Sequence, residues 1–237
     1  MNGGTDDGRR RESLIKLASA MAFLAVVAVA VLIVITQHGS GGDTNLEGVA
    51  EVRELLDGLP QHGMVLGEPR AKATLVEFGD LQCPACKAYS EETLPQVIES
   101  QVARGQARLE FRNFTIIGPE SSPAGAAAIA AGEQERGWSF VELFYRNQGE
   151  ENSGYVTDDF LTAIARGAGV PDIPKWNRER RKARVLGEVT ETTHEAERLG
   201  FTGTPSFALE GPDATGIQAL GTFPSAGDLE SAIASAH

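Results

Sequence analysis

The two cysteines of this chain, Cys83 and Cys86, are separated by two residues and stand where a short apolar run of strand type gives way to a polar helical stretch. Leu75, Val76 and Phe78 make the run within 73–79, and the helical pattern extends from Pro84 to about Val102. A second strand follows over 107–114, with Leu109, Phe111 and Phe114 apolar. Strand, helix and strand within about forty residues predict a βαβ unit of parallel strands, whose crossover is right-handed almost without exception. The first cysteine then lies at a helix N-terminus.

That position has a chemical consequence. Unpaired backbone N–H groups and the helix dipole favour an anion, so a thiol there drops from about 8.5 into the range of roughly 3.5 to 7.5. Only the thiolate attacks or leaves efficiently in disulfide exchange. Other uses of the pair fit less well. Zinc needs about four ligands, and His38, His62, His194 and His237 stand singly, with no second ligand pair at metal spacing. A structural disulfide closing so short a loop removes little unfolded-state entropy. A reduced, buried pair belongs in the cytosol.

The N-terminus argues for a different compartment. From Leu17 to Ile35 the chain carries no charge and only one weakly polar residue, Ser19. As a helix this run spans roughly 28 Å, close to the hydrocarbon thickness of a bilayer. It is longer than the apolar region of a cleaved signal peptide, and Thr36-Gln37-His38-Gly39-Ser40 offers no small-residue cleavage site. Residues 17–36 therefore read as an uncleaved single-pass anchor. Arg9, Arg10, Arg11 and Lys16 precede it and the next Lys or Arg is Arg53, so 1–16 are expected in the cytoplasm and everything beyond the span outside it. There, disulfides form and persist. Residues 37–44 read as a flexible tether, followed by a short helix with Val52, Leu55, Leu56 and Leu59 on one face before Pro60.

One domain, 61–237, accounts for the rest of the 237 residues. A net charge of -12 argues against nucleic-acid phosphates as a partner and for proteins or small molecules. From about 123 to 200 the patterns are helical. Small residues fill 124–131; Trp138, Val141 and Tyr145 form a stripe widened by Phe140 and Phe144; Thr157 is placed to cap a helix. One long helix is expected over 175–199, with Leu186, Val189, Ala196 and Leu199 on its inner side and Gly200 ending it. Trp138 and Trp176 read as core or interface anchors, and the basic cluster from Arg178 to Arg184 as a solvated face able to dock an acidic partner. Strand patterns return over 206–209 and 216–220, and a last helix is expected over 226–236.

The segments Phe78-Gly79-Asp80-Leu81-Gln82-Cys83-Pro84-Ala85-Cys86 and Gly203-Thr204-Pro205, bracketing a helical insertion, resemble the DsbA-like branch of the thioredoxin superfamily over about residues 61–235. The resemblance implies an α/β thioredoxin-like fold, a mixed sheet with βαβ then ββα order and an inserted helical subdomain. It implies Cys83 as nucleophile and Cys86 as resolving thiol. Pro205 matches the family's cis-proline opposite the pair, with Thr204 offering strand-like hydrogen bonds to a substrate that Pro84 and Ala85 also border. Glu77 matches a family acid beneath the disulfide, a proton acceptor for the resolving thiol; an ordinary strand-edge charge is the other reading. Strong oxidants of the family carry Pro-His between the cysteines. Ala85 supplies no donor or positive charge, so this pair should be less oxidising. The implied activity is oxidation of exported proteins carrying free thiols, without a cofactor, by a protein reoxidised by a membrane partner of the DsbB or vitamin K epoxide reductase kind. A reductase or isomerase, and a non-catalytic copper-binding module, stay open as alternatives, though Met1, Met21 and Met64 are not obviously placed as copper ligands.

Overall fold

The structure, a computed structural model, describes residues 46–211 and 216–236, all within the unit Thr44–His237. The expected anchor at 17–36, its flank at 1–16 and the tether at 37–44 lie outside the described residues. Among the described residues no helix is long and apolar enough to cross a membrane.

Six strands form one mixed sheet: β1 (Gln61–His62), β2 (Val65–Leu66), β3 (Ala73–Gly79), β4 (Ala107–Asn113), β5 (Ser206–Glu210) and β6 (Ile217–Thr222), in the order β1-β2-β4-β3-β5-β6. β3 and β4 are parallel and every other pair is antiparallel. All seven residues of β3 are buried, Thr74 and Glu77 among them, as a central strand covered on both faces allows, while β4 alternates buried with half-buried positions. The crossover from β3 to β4 runs through α2 (Pro84–Glu92), α3 (Leu94–Val97) and a π-type turn at Ile98–Val102. After β5 and β6 comes α9 (Ala226–Ser235), started by a capping box in which Ser225 and Asp228 satisfy each other's backbone N–H. The expected βαβ then ββα order is present.

The β1–β2 hairpin was not foreseen. Two-residue strands show no periodicity, and the turn between them relies on Gly63 at φ 62°.

Between β4 and β5 stand α4 (Ser121–Gly132), α5 (Gly137–Arg146), α6 (Asp158–Gly167), α7 (Ile173–Glu179) and α8 (Ala183–Arg198). The small residues of α4 let it approach the sheet closely: a Cβ on Gly125 would come 2.4 Å from Asn113 Oδ1. α5 carries the main aromatic mass of the core, with Trp138, Phe140, Phe144 and Tyr145 buried. Both tryptophans are core anchors whose indole N–H finds a carbonyl, Trp138 on Met64 at 2.8 Å and Trp176 on Ala127 at 2.9 Å. Thr157 caps α6 by accepting from the Phe160 N–H. Ahead of the sheet, α1 (Val49–Leu55) packs Val52 into the core, and Leu56 follows it there.

The single long helix expected over 175–199 is two. Lys182 is extended (φ -76°, ψ 141°) and separates α7 from α8. The break follows from Arg180, only 6% exposed, whose guanidinium stacks 5.0 Å over the Trp176 ring and pairs with Asp158 at 2.7 Å. The basic cluster is therefore not a uniformly solvated face. α8 keeps Val189, Ala196 and Leu199 on its inner side as expected, but buries Val185 beside Ala126 and Ile129 and leaves Leu186 38% exposed.

Candidate active site

Cys83 is the N-cap of α2, with extended backbone (φ -75°, ψ 118°), and Pro84 fills the first helical turn where no N–H is needed. Its position comes from the loop after β3, which Asp80 shapes. The buried Asp80 carboxylate accepts from Gln82 N–H through Oδ1 and from the N–H groups of Ile116 and Ile117 through Oδ2, tying the ends of β3 and β4 together. The helical insertion holds the same loop from the other side. Gln82 donates to Ser121 Oγ and accepts from Asn152 N–H; Gln148 Nε2 donates to the Leu81 and Cys83 carbonyls; the Tyr145 hydroxyl donates to the Asp80 carbonyl.

β5 completes the site. Antiparallel pairing sets Phe78 opposite Ser206, so the residues entering β5 lie beside those leaving β3. The Thr204–Pro205 peptide is cis, and the Thr204 carbonyl accepts from the Cys83 thiol at 3.5 Å. Thr204 and Pro205 are buried, Ala85 is half-buried and Pro84 exposed. The structure thus gathers Cys83, Cys86, Pro84, Ala85, Thr204 and Pro205 at one end of the sheet, as the sequence suggested.

The two thiols differ sharply. The Cys83 thiol is pulled down to about 6, chiefly by the hydrogen bond from the Cys86 thiol; burial opposes this, and the Thr204 hydroxyl and the N–H groups of Cys86 and Ala85 add to it. Burial first, and then the hydrogen bond and negative charge of Cys83, hold the fully buried Cys86 thiol well above its ordinary value. At neutral pH the arrangement favours a Cys83 thiolate beside a Cys86 thiol.

Glu77 lies in the centre of the sheet, between Phe111 of β4 and Phe207 of β5, and is 1% exposed. That excludes the strand-edge reading. Among the described residues neither carboxyl oxygen has a hydrogen-bond partner, and burial, helped by the nearby charges of Glu142 and Cys83, pushes the group up to about 8. Glu142 on α5 is a second buried acid, pushed up to about 7 by burial despite the hydrogen bond it accepts from Ser90.

Sequence reading passed over Glu142, Gln148 and Asn152 and took Tyr145 only as part of an aromatic stripe; all reach the site from more than 50 residues away and carry no local signature, while Asp80 and Gln82 stood in the quoted segment without an assigned role. Among the described residues no group of three or more His, Cys, Asp or Glu side chains could hold a metal ion.

Known proteins share this fold. Residues 60–223 match the model of the thioredoxin family. The probable disulfide bond formation protein D of Bacillus cereus is 30% identical over 150 residues, which cover 62% of this chain and 69% of that protein. Among solved structures, oxidised BdbD of Bacillus subtilis superposes with a TM-score of 0.64 at 21% identity, over 76% of this chain and 96% of that one. A thioredoxin-like oxidoreductase from Silicibacter pomeroyi gives 0.58 at 26% identity, over 78% and 96%. The chain belongs to the thioredoxin family, as a DsbA-like thiol-disulfide oxidoreductase.

Proposed function

We propose that the protein introduces disulfides into exported proteins, working outside the cytoplasm on a membrane anchor at 17–36. The observation that carries the reading is the asymmetry of the pair, one thiol lowered to about 6 and the other raised by burial, which makes Cys83 the exchanging thiol.

In this reading a substrate thiolate attacks Cys83 Sγ of the Cys83–Cys86 disulfide, forming a mixed disulfide and releasing Cys86 as a thiolate. The leaving sulfur needs a proton, and Glu77, neutral below about 8, is the buried acid able to supply it; the ionised carboxylate takes that proton back in the reverse direction. A second substrate thiolate then attacks the substrate sulfur, and Cys83 leaves. A low-pKa thiol is a good leaving group, which favours this step. The protein is left as a dithiol and the substrate gains its disulfide. Thr204 presents its backbone to an extended substrate segment, with Pro205, Pro84 and Ala85 around it.

The magnitude favours a moderate oxidant. Lowering Cys83 from 9.0 to about 6 stabilises the reduced protein at pH 7 by ~1.4 kcal/mol, or ~30 mV for a two-electron couple. Cys86, protonated at that pH, adds nothing. Reoxidation is assigned to a membrane partner of the DsbB or vitamin K epoxide reductase kind, which the anchor would hold in the same plane.

Rapid acid quenching of cells followed by thiol alkylation tests the direction. A Cys83–Cys86 pair found mostly oxidised supports the oxidase; a pair found mostly reduced supports a reductase or isomerase instead.

A further inference from the structure

We propose that Gln148 is a positioning residue for thiol-disulfide exchange, its carboxamide clamping the Leu81 and Cys83 carbonyls so that the Cys83 sulfur faces the N-terminal turn of α2. The inference rests on the reading of Cys83 as the attacking and leaving thiol.

Gln148 follows α5, whose last residue is Arg146, and its Nε2 donates to Leu81 O at 2.7 Å and to Cys83 O at 3.1 Å. A single NH2 group therefore bridges the carbonyls on either side of Gln82. The backbone between them is where the chain turns from the end of β3 into α2. Cys83 O also accepts the first helical hydrogen bond, from Lys87 N–H at 3.2 Å, so the clamp acts at the joint between loop and helix.

The geometry of that joint decides how the Cys83 sulfur meets its anion-stabilising neighbours. The N–H groups of Ala85 and Cys86 favour the thiolate only while the sulfur is held over the first turn, and their directions are fixed by the helix. The rotation of Cys83 relative to them is set by its own backbone, which Gln148 holds at the carbonyl. The amide hydrogens also place partial positive charge beside the cysteine. Asn147 in turn fixes the base of the clamp: it accepts from Glu47 N–H at 2.9 Å and donates to Glu47 O at 2.9 Å, seating the segment before α1 on the end of α5.

Removing the donors without removing the bulk should loosen Cys83 against the helix terminus. The test is the apparent pKa of Cys83, read from thiolate absorbance against pH in the reduced full-length chain. Gln148→Met should raise it by about one unit, which cuts the thiolate fraction of the reduced chain at pH 6.5 roughly threefold and, by making Cys83 a poorer leaving group, slows substrate oxidation. Gln148→Glu, which sets a carboxylate against two carbonyl oxygens, should raise it at least as far, whereas Gln148→Lys, which keeps a donor, should leave it unchanged or lower. A Gln148→Met chain whose Cys83 titrates within about 0.2 units of the parent overturns the inference. If Gln148→Met does not fold, equal pKa values in the Glu and Lys variants overturn it instead. Activity that survives Cys83→Ala would remove the functional reading first; activity that needs Cys83 but ignores Gln148 removes only the clamp.

Discussion

The carbonyl oxygen of Thr204 lies 3.5 Å from the sulfur of Cys83, 121 residues earlier in the chain. Antiparallel pairing of β3 with β5 produces the contact, because it sets the residue entering one strand beside the loop leaving the other. A thiol can donate to that carbonyl; a thiolate cannot, and is stabilised instead by the Cys86 thiol, the Thr204 hydroxyl and two helix N–H groups.

Thr204→Val isolates the hydroxyl. The buried Thr204 Oγ1 makes no hydrogen bond of good geometry, so its loss should cost little or no stability. The Cys83 pKa should rise above its starting value near 6, by roughly 0.5 to 1 unit, as one stabiliser of the anion disappears. Thiolate absorbance against pH and a thermal melt of the same samples check both halves.

Ala85→His should make the disulfide more oxidising. The parent potential is expected between a thioredoxin-like value near -270 mV and a strong-oxidant value near -120 mV, because the helix terminus favours the thiolate but Ala85 contributes nothing. A histidine there adds a donor and a partial positive charge. Equilibration with glutathione buffers should show the potential moving upward; an unchanged value would mean that the dipeptide does not control it.

Glu77 should make stability depend on pH. Its folded pKa of about 8 lies above its ordinary 4.5, so the unfolded chain ionises first. The stability associated with the neutral group is full below about 4.5 and is lost as pH rises through about 8. Glu77→Gln should therefore flatten the profile over that window and gain a few kcal/mol relative to the parent at its alkaline end. Urea unfolding at several pH values measures this. Glu142, pushed up to about 7, should leave part of the slope in place.

Much of the site could be read from the chain because its central signals are local. The apolar run of Leu75, Val76 and Phe78 marks β3, Cys83 and Cys86 mark the following helix, and Thr204-Pro205 marks the entry to β5. What could not be read depends on distant contacts. The β1–β2 hairpin is too short to show a period, and the break at Lys182 depends on Arg180 finding Trp176 and Asp158. Gln148 looks like any polar residue at the end of a helix until the loop it holds is placed beside it.

The phase of α8 provides a test of that difference. Val185→Ala should destabilise the protein by about 1 to 2.5 kcal/mol, since Val185 is buried against Ala126 and Ile129, whereas Leu186→Ala should cost less than about 0.5 kcal/mol at its exposed position. Chemical denaturation of the two variants compares them directly.

Trapping of mixed disulfides tests the central claim most directly, because it asks which sulfur captures substrate. With Cys86→Ala, the Cys83 sulfur should hold exported proteins in adducts visible as reducible high-mass species on a non-reducing gel, since the resolving thiol is gone. With Cys83→Ala, both the adducts and the activity should disappear, because the remaining thiol is buried and held far above the neutral range. Adducts as abundant in Cys83→Ala as in Cys86→Ala would contradict the assignment of Cys83 as the attacking and leaving thiol.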